Sequence, residues 1–291
     1  MSETVSLIIP TLNAEGEIGA LIEALLGQSR VPNEILVVDS SSDDGTVGIA
    51  SSYREVSVEV IDRRDFDHGL TRDRALRRSS GDIACFMTQD AVPANDAFIE
   101  NLVAPILSDP SVAVSSGRQL PKADARRFEQ LVRAFNYTDE SNVRSRDDVP
   151  RLGIKAYFAT DVCAAYRRSA YLELGGFGST DMSEDMLMAA KAVKAGWKVA
   201  YAADAEVYHS HNLTPRQQYE RNFAIGRFLE RNADLLSCAS EVGEGGRLAR
   251  DVATALVKEA NIPELLAFAV DCAARFAGNR AGRKDVRKAR R

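Results

Sequence analysis

The sequence predicts an α/β protein: a mostly parallel sheet with helices on both faces. Three observations lead there. Four short apolar runs, VSLIIP (5–10), EILVVD (34–39), VSVEVI (56–61) and DIACFM (82–87), fall within the first 90 residues. Stretches of helical apolar spacing separate them. Three of the runs end in polar sequence, PTLN, VDSSSDDGT and TQDA, at the sheet edge where ligands of such folds collect.

The elements follow in chain order. VSLIIP is short and β-branched, as a buried strand should be. Behind it Ile18, Leu21, Ile22, Leu25 and Leu26 mark one face of a helix. EILVVD is the second buried strand, and DDGT (43–46) opens a second, short helix. VSVEVI and DIACFM are the third and fourth strands. AFIENLVAPIL (97–107) reads as a helix with Asp96 as candidate N-cap. RRFEQLVRAFNY is an amphipathic helix and TDESNVRSRDDVPR a charged loop, after which regular structure resumes at YFATDVCAAYRRSAYLELGGF. SEDMLMAAKAVKAGW is a helix closed by Gly196 at C′, followed by the strand in KVAYAADAEVYHSHN. From about residue 236 the chain is Ala-, Glu- and Arg-rich and helical.

The 291 residues are 45% apolar and 27% charged, with a net charge of −5. That suits a soluble enzyme with a sizeable core and gives nucleic acid no role as a global partner. From Arg275 onward eight Lys or Arg face only Asp285. A disordered, solubilising end is the plainer expectation, and attraction to anionic lipid headgroups the alternative. Cys85, Cys163, Cys238 and Cys272 form no CxxC pair, which predicts free thiols in a reducing cytoplasm. The opening MSETVSLIIPTLN lacks a basic signal-like start. The most apolar late stretch, residues 262–277, is short and carries Asp271 and Arg275. A cytoplasmic protein is expected, at most peripheral on the inner face of the plasma membrane.

The chemistry-bearing residues sit mainly at strand ends. Asp39 closes a buried strand, where a turn former is the plain reading and an acceptor for a pyrimidine imide N–H the functional one. Asp90, after Thr88-Gln89, is either a cap or a hard oxygen ligand for a metal that bridges a diphosphate. His209 and His211 alternate, which puts both rings on one strand face. One completes a metal site with Asp90 and the other bonds a phosphate, or either is merely a satisfied polar residue. Glu184 and Asp185 open a helix, as dipole-complementing acids or as a general base beside the glycine-rich Gly175-Gly176-Phe177-Gly178. His68, Gly69 and Arg72 precede a helix, where an arginine beside free N–H groups suits a phosphate or nucleotide.

Taken in order, SLIIPTLNAEGEIGALIEALLGQ…EILVVDSSSDDGT, FDHGLTRDRA, FMTQDAVP, RAFNYTDES and SEDMLMAAKAVKAGWKVAYAADAEVYHSHNLTPRQQYERNF resemble family 2 glycosyltransferases of the GT-A fold, most closely bacterial rhamnosyltransferases, over residues 4–225. The resemblance implies a catalytic domain over 1–235, with a nucleotide-binding half (1–115) and an acceptor-binding half (116–235). A helical extension with a basic tail covers 236–291. It implies that Pro10, Thr11, Asn13 and Glu15 line the nucleotide pocket with Asp39, and that Arg72 reaches the base or diphosphate. His68, Gly69 and Gln89 belong to the same pocket. Asp90 carries Mg2+ or Mn2+ with His209 or His211, Asp185 is the base, and Glu184 orients the acceptor. Relatives usually carry Asn in place of Asp73, and TQD has one acid fewer than their DxD. The expected activity is inverting transfer of L-rhamnose from dTDP-L-rhamnose to a lipid-linked or polysaccharide acceptor. A UDP-glucose, UDP-galactose or UDP-GlcNAc donor is the alternative within the class. An inactive carbohydrate-binding partner is a further alternative, and a nucleotidyltransferase is disfavoured because PTLNAEGE is not a phosphate loop. A homodimer stays open.

Overall fold

The computed structural model describes residues 3–180, 182–236 and 241–290. Among them nine strands form one sheet: β1 (Val5–Thr11), β2 (Glu34–Asp39), β3 (Val56–Val60), β4 (Ile83–Met87), β5 (Val92–Pro93), β6 (Val112–Leu120), β7 (Asn142–Arg144), β8 (Cys163–Arg167) and β9 (Lys198–Tyr208). Their order is β3-β2-β1-β4-β8-β6-β9-β5, with β7 paired to β9. β3, β2, β1 and β4 are parallel, as the alternation of strand and helix requires. β8 then runs antiparallel to both β4 and β6, while β6 and β9 are parallel. The sheet is therefore mixed beyond β4 rather than mostly parallel throughout. Apolar runs signal burial, not direction, and β8 is buried like β4 except at Arg167.

The helices are α1 (Ile18–Leu26), α2 (Thr46–Ser51), α3 (His68–Arg78), α4 (Phe98–Ser108), α5 (Arg127–Asn136), α6 (Val149–Leu152), α7 (Arg168–Glu173), α8 (Glu184–Lys194), α9 (Pro215–Arg231), α10 (Ala233–Leu236), α11 (Glu241–Lys258) and α12 (Ile262–Ala289). They cover both sheet faces, and β1 illustrates why. Leu7 and Ile9 point to one side, into a core with Ile22, Phe98 and Leu102. Ile8 points to the other, among Leu76, Phe86, Tyr166 and Val193. Gly196, at φ 95°, closes α8 as expected, with Trp197 N–H bonded to the Ala192 carbonyl and Gly196 N–H to that of Val193.

Two local expectations are corrected. Asp96 does not cap α4; the Ile99 N–H is taken by Gln28 Oε1 at 3.1 Å and the Ala97 N–H by Asn95 Oδ1 at 3.0 Å. A side chain from another element does the capping, which local spacing does not reveal. The charged stretch TDESNVRSRDDVPR is not all loop: it holds β7, registered against Tyr201–Val199 of β9, and the start of α6. Cross-strand pairing overrides its local polarity.

The basic tail is ordered rather than disordered. Residues 275–289 are the last turns of α12, which lies directly on α9. A Cβ at Gly282 would sit 2.0 Å from the Phe223 carbonyl oxygen, and one at Gly278 2.3 Å from that of Tyr219. Arg287 donates to both oxygens of Glu230 at 2.8 and 2.9 Å, and Arg275 to Asp271 at 2.6 Å. α5, α11 and α12 share a further cluster of Phe128, Val132, Val252, Leu256 and Phe268. Among the described residues no helix is long and apolar enough to cross a membrane. Cys85 and Cys163 are buried free thiols, both pushed up to about 12 by burial, and Cys272 is free; Cys238 lies outside the described residues. Gly282→Leu forces α12 off α9, so a loss of about 1–3 kcal/mol is expected. A melting temperature within about 1 °C of the parent would contradict this packing, since about 2–4 °C is expected per kcal/mol.

Candidate active site

The ends of β1, β2 and β4 meet at one edge, where a cleft of about 250 Å³ opens. Pro10, Thr11, His68, Arg72 and Gln89 line it, together with Ser40, Arg63, Phe66 and Thr88. Gln89 joins two of the strand ends: its Oε1 accepts from Leu12 N–H at 2.8 Å and its Nε2 donates to Leu12 O at 3.2 Å. Asp39 lies directly beneath, fully buried. Its carboxylate accepts from Thr11 Oγ1 (2.9 Å), Ser42 N–H (2.7 Å) and Ser42 Oγ (2.6 Å).

Other expected cleft residues are placed elsewhere. Asn13 Oδ1 accepts the Asp43 N–H at 2.9 Å, and Glu15 Oε2 that of Gly45 at 3.1 Å, so both tie the turn after β1 to the loop after β2. Gly69 acts through space: a Cβ there would lie 2.0 Å from the Gly178 carbonyl oxygen, so α3 packs on the loop before α8. The stretch His68–Arg72 does not precede a helix but forms the first turns of α3, capped by Asp67. Asp73 accepts from Tyr171 OH at 2.9 Å and from Arg77 Nε at 2.7 Å, so the acid has structural partners.

Asp90, His209 and His211 come together through the sheet. β5 pairs antiparallel to β9 with Val92 opposite Tyr208, which sets Asp90 beside the residues just past β9. Before that, the register of β6 on β9 jumps between Gly117↔Ala202 and Arg118↔Glu206. That bulge re-aims the end of β9. Both histidines lie beyond the strand rather than on its face, yet both Nε2 atoms reach Asp90 Oδ2, at 3.3 and 3.2 Å. His209 Nδ1 contacts Gln119 Oε1 at 2.9 Å, which fixes the ring. Burial tends to raise the Asp90 pKa, but the neighbouring His209, Thr88 and His211 hold it well below the usual range. Burial and the His209 ring push His211 down to about 4, so at neutral pH it offers a lone pair. One ligand atom from each of the three lies within 4.8 Å of the others, a set chemically suited to a divalent ion.

The third group is a cluster of one cation and three acids, all buried except the half-buried Asp185. Arg72, 5% exposed, reaches from the cleft to Glu184 Oε1 at 3.1 Å and Asp161 Oδ2 at 3.6 Å. Glu184 thus faces inward against Arg72 rather than outward toward an acceptor, because burial demands a counter-charge. Asp161 also accepts from Tyr166 OH at 2.6 Å. Asp185 accepts from Met186 N–H (2.6 Å) and Asp161 N–H (3.2 Å). Just before it Ser183 is held at φ 62°, a strained conformation of the kind that gathers at functional sites. Three carboxyls against one guanidinium cannot all ionise easily. Burial and the neighbouring Glu184 raise Asp185 to about 7, and burial with Glu184 and Asp185 raises Asp161 well above its ordinary value.

Beyond Asp161, a second cleft of about 340 Å³ opens between α5, α9 and α12. It is lined by Thr160 and Val162 at the acid cluster, by His209 and His211, and by Arg133, Arg221 and Arg275. The acid cluster therefore lies between Arg72, which lines the first cleft, and Thr160 and Val162, which line the second. Asp161, Phe66, Arg133 and Arg221 are site residues that the sequence motifs do not mark. Asp161 precedes a buried strand with no pattern to mark it, whereas Phe66 was visible as the aromatic opening FDHG.

A family model for glycosyl transferase family 2 matches residues 6–175. The chain belongs to that family. It is an inverting glycosyltransferase. It is 45% identical over 226 residues to the O-antigen chain rhamnosyltransferase RfbN of Salmonella typhimurium, spanning 77% of this chain and 72% of that protein. It is 39% identical over 284 residues to the O-antigen chain rhamnosyltransferase WbaN of Salmonella anatum, 96% and 89% of the two chains. Solved structures agree with the GT-A fold of this glycosyltransferase. The mannosyltransferase PcManGT of Pyrobaculum calidifontis, in complex with GDP-Man and Mn2+, aligns with a TM-score of 0.64 at 18% identity over 96% of this chain and 86% of its own. S. aureus TarS in complex with UDP-GlcNAc aligns with a TM-score of 0.56 at 17% identity, covering 98% and 92%.

Proposed function

We propose that this glycosyltransferase transfers L-rhamnose from dTDP-L-rhamnose to a hydroxyl of a lipid-linked or polysaccharide acceptor. The observation that carries the sugar assignment is 45% identity to a rhamnosyltransferase across 77% of the chain. The geometry supports the chemistry. The nucleotide lies in the cleft at the ends of β1, β2 and β4, its base against Phe66 and Pro10. Beneath the base, the buried Asp39 carboxylate fixes the ends of β1 and β2 through Thr11 and Ser42. Arg72 and the first turns of α3 face the diphosphate. Asp185, at a pKa of about 7, takes the proton of the acceptor hydroxyl that enters from the second cleft. The Met186 and Asp161 N–H groups hold that carboxyl in place.

Asp90, His209 and His211 would hold Mg2+ or Mn2+, whose charge offsets that developing on the leaving diphosphate. Asp90→Ala is expected to weaken Mn2+-dependent dTDP binding by about tenfold or more. Binding by the variant and by EDTA-treated parent protein as tight as by the Mn2+-loaded parent would remove the metal from the site. The donor assignment is tested by calorimetric titration of dTDP and UDP into the Mn2+-loaded chain. Tighter dTDP binding and turnover of dTDP-rhamnose are expected. Tighter UDP binding, with turnover of a UDP-hexose only, would replace rhamnose by that sugar.

A further inference from the structure

A third cavity, of about 320 Å³, shares Asn136 and Phe158 with the second cleft. Its wall carries Arg144 of β7, 6% exposed. Arg144 Nη1 donates to the Lys155 carbonyl at 2.7 Å, but Nε and Nη2 have no hydrogen-bond partner among the described residues. Those two nitrogens form one edge of the guanidinium, the side-on fork that takes two oxygens of a phosphate or carboxylate. A desolvated guanidinium with two unsatisfied nitrogens is costly, and burial pushes this one down to about 10.

Three more cations line the cavity: Arg151, Lys155 and Arg247. Arg151 is paired with Asp148, while Lys155 and Arg247 share Glu244. Four cations against two carboxylates leave two positive charges, the complement of a dianion. The Phe135 ring holds Lys155 Nζ at 4.8 Å and the Arg247 guanidinium at 5.1 Å from its centroid, which keeps both heads at the cavity.

We propose that this cavity binds a phosphate-class dianion, gripped by the Nε/Nη2 edge of Arg144 and balanced by Arg151, Lys155 and Arg247. Its continuity with the second cleft fits a phosphate carried by the acceptor; in that form the proposal rests on the transferase reading above. Free phosphate or pyrophosphate is the other source of the same chemistry.

The test is calorimetric titration of inorganic pyrophosphate into the full chain in EDTA. Arg144→Gln and the exposed pair Arg151→Gln/Arg247→Gln are each expected to weaken binding by about tenfold or more. Asp90→Ala should bind pyrophosphate like the parent. Because Arg144→Gln removes an unpaired buried charge, its melting temperature should not fall. Unchanged affinity in both variants, or loss of binding in Asp90→Ala, would overturn the site. Rates of sugar transfer at fixed free Mg2+ then identify the source. Pyrophosphate competing with the acceptor assigns an acceptor-borne phosphate, and non-competitive inhibition assigns a free anion; either pattern upholds the site. A parent chain that binds pyrophosphate at Arg144 yet transfers no sugar would instead sink the function proposed above.

Discussion

Asp185→Asn lowers kcat by about 10²–10⁴-fold and leaves the affinity for dTDP nearly unchanged. The amide keeps an oxygen for the Met186 N–H and loses only the weaker bond from Asp161 N–H, worth about 1 kcal/mol. It also removes one charge from a cluster of three carboxyls around a single guanidinium, which offsets that loss. The variant therefore folds, and a fall in turnover reports the missing base. Single-turnover kinetics with separately measured donor binding distinguishes the cases. A loss of donor affinity as large as the loss of rate would make Asp185 part of the pocket wall.

Arg72→Met produces the largest loss of stability, about 3–5 kcal/mol at neutral pH, together with loss of transfer. Arg72 is the cation within ion-pair reach of both Glu184 and Asp161, and its side chain is almost wholly buried. Without it the carboxyls take up protons instead of staying charged. Their folded pKa values, already raised for Asp161 and Asp185, rise further above the unfolded values near 4. The folded variant then binds more protons than the unfolded chain between that value and the raised one, so its stability falls as pH rises. The melting-temperature deficit should be small at pH 5 and largest above pH 7. A deficit independent of pH would mean that Arg72 contributes packing rather than charge.

The parallel half of the fold was legible because each of its strands is a separate apolar run bounded by turns. The strand 34–39 coincides with β2, and residue 5 opens β1 as expected. The antiparallel half was not, since direction leaves no mark on a buried run such as Cys163–Arg167. The chemistry of Asp90, His209 and His211 could be read from residue types, but their meeting depends on Val92 pairing with Tyr208 and on the bulge after Gly117. Both are long-range facts. The family resemblance placed Asn13 and Glu15 in the nucleotide pocket, and their side chains accept from the N–H groups of Asp43 and Gly45. Asp161 was missed because only folding brings it to Arg72. The tail from Arg275 misled through composition: its charges are partly paired, and Gly278 and Gly282 dock it on α9.

The most direct measurement is the pH dependence of kcat/KM for sugar transfer, which reports the ionisation of the free enzyme. Activity should rise through an apparent pKa of about 7 and level off above it, as Asp185 loses its proton, and Asp185→Asn should lack that limb. An unchanged limb near 7 in Asp185→Asn, with turnover reduced by less than about tenfold, would mean that another group takes the acceptor's proton.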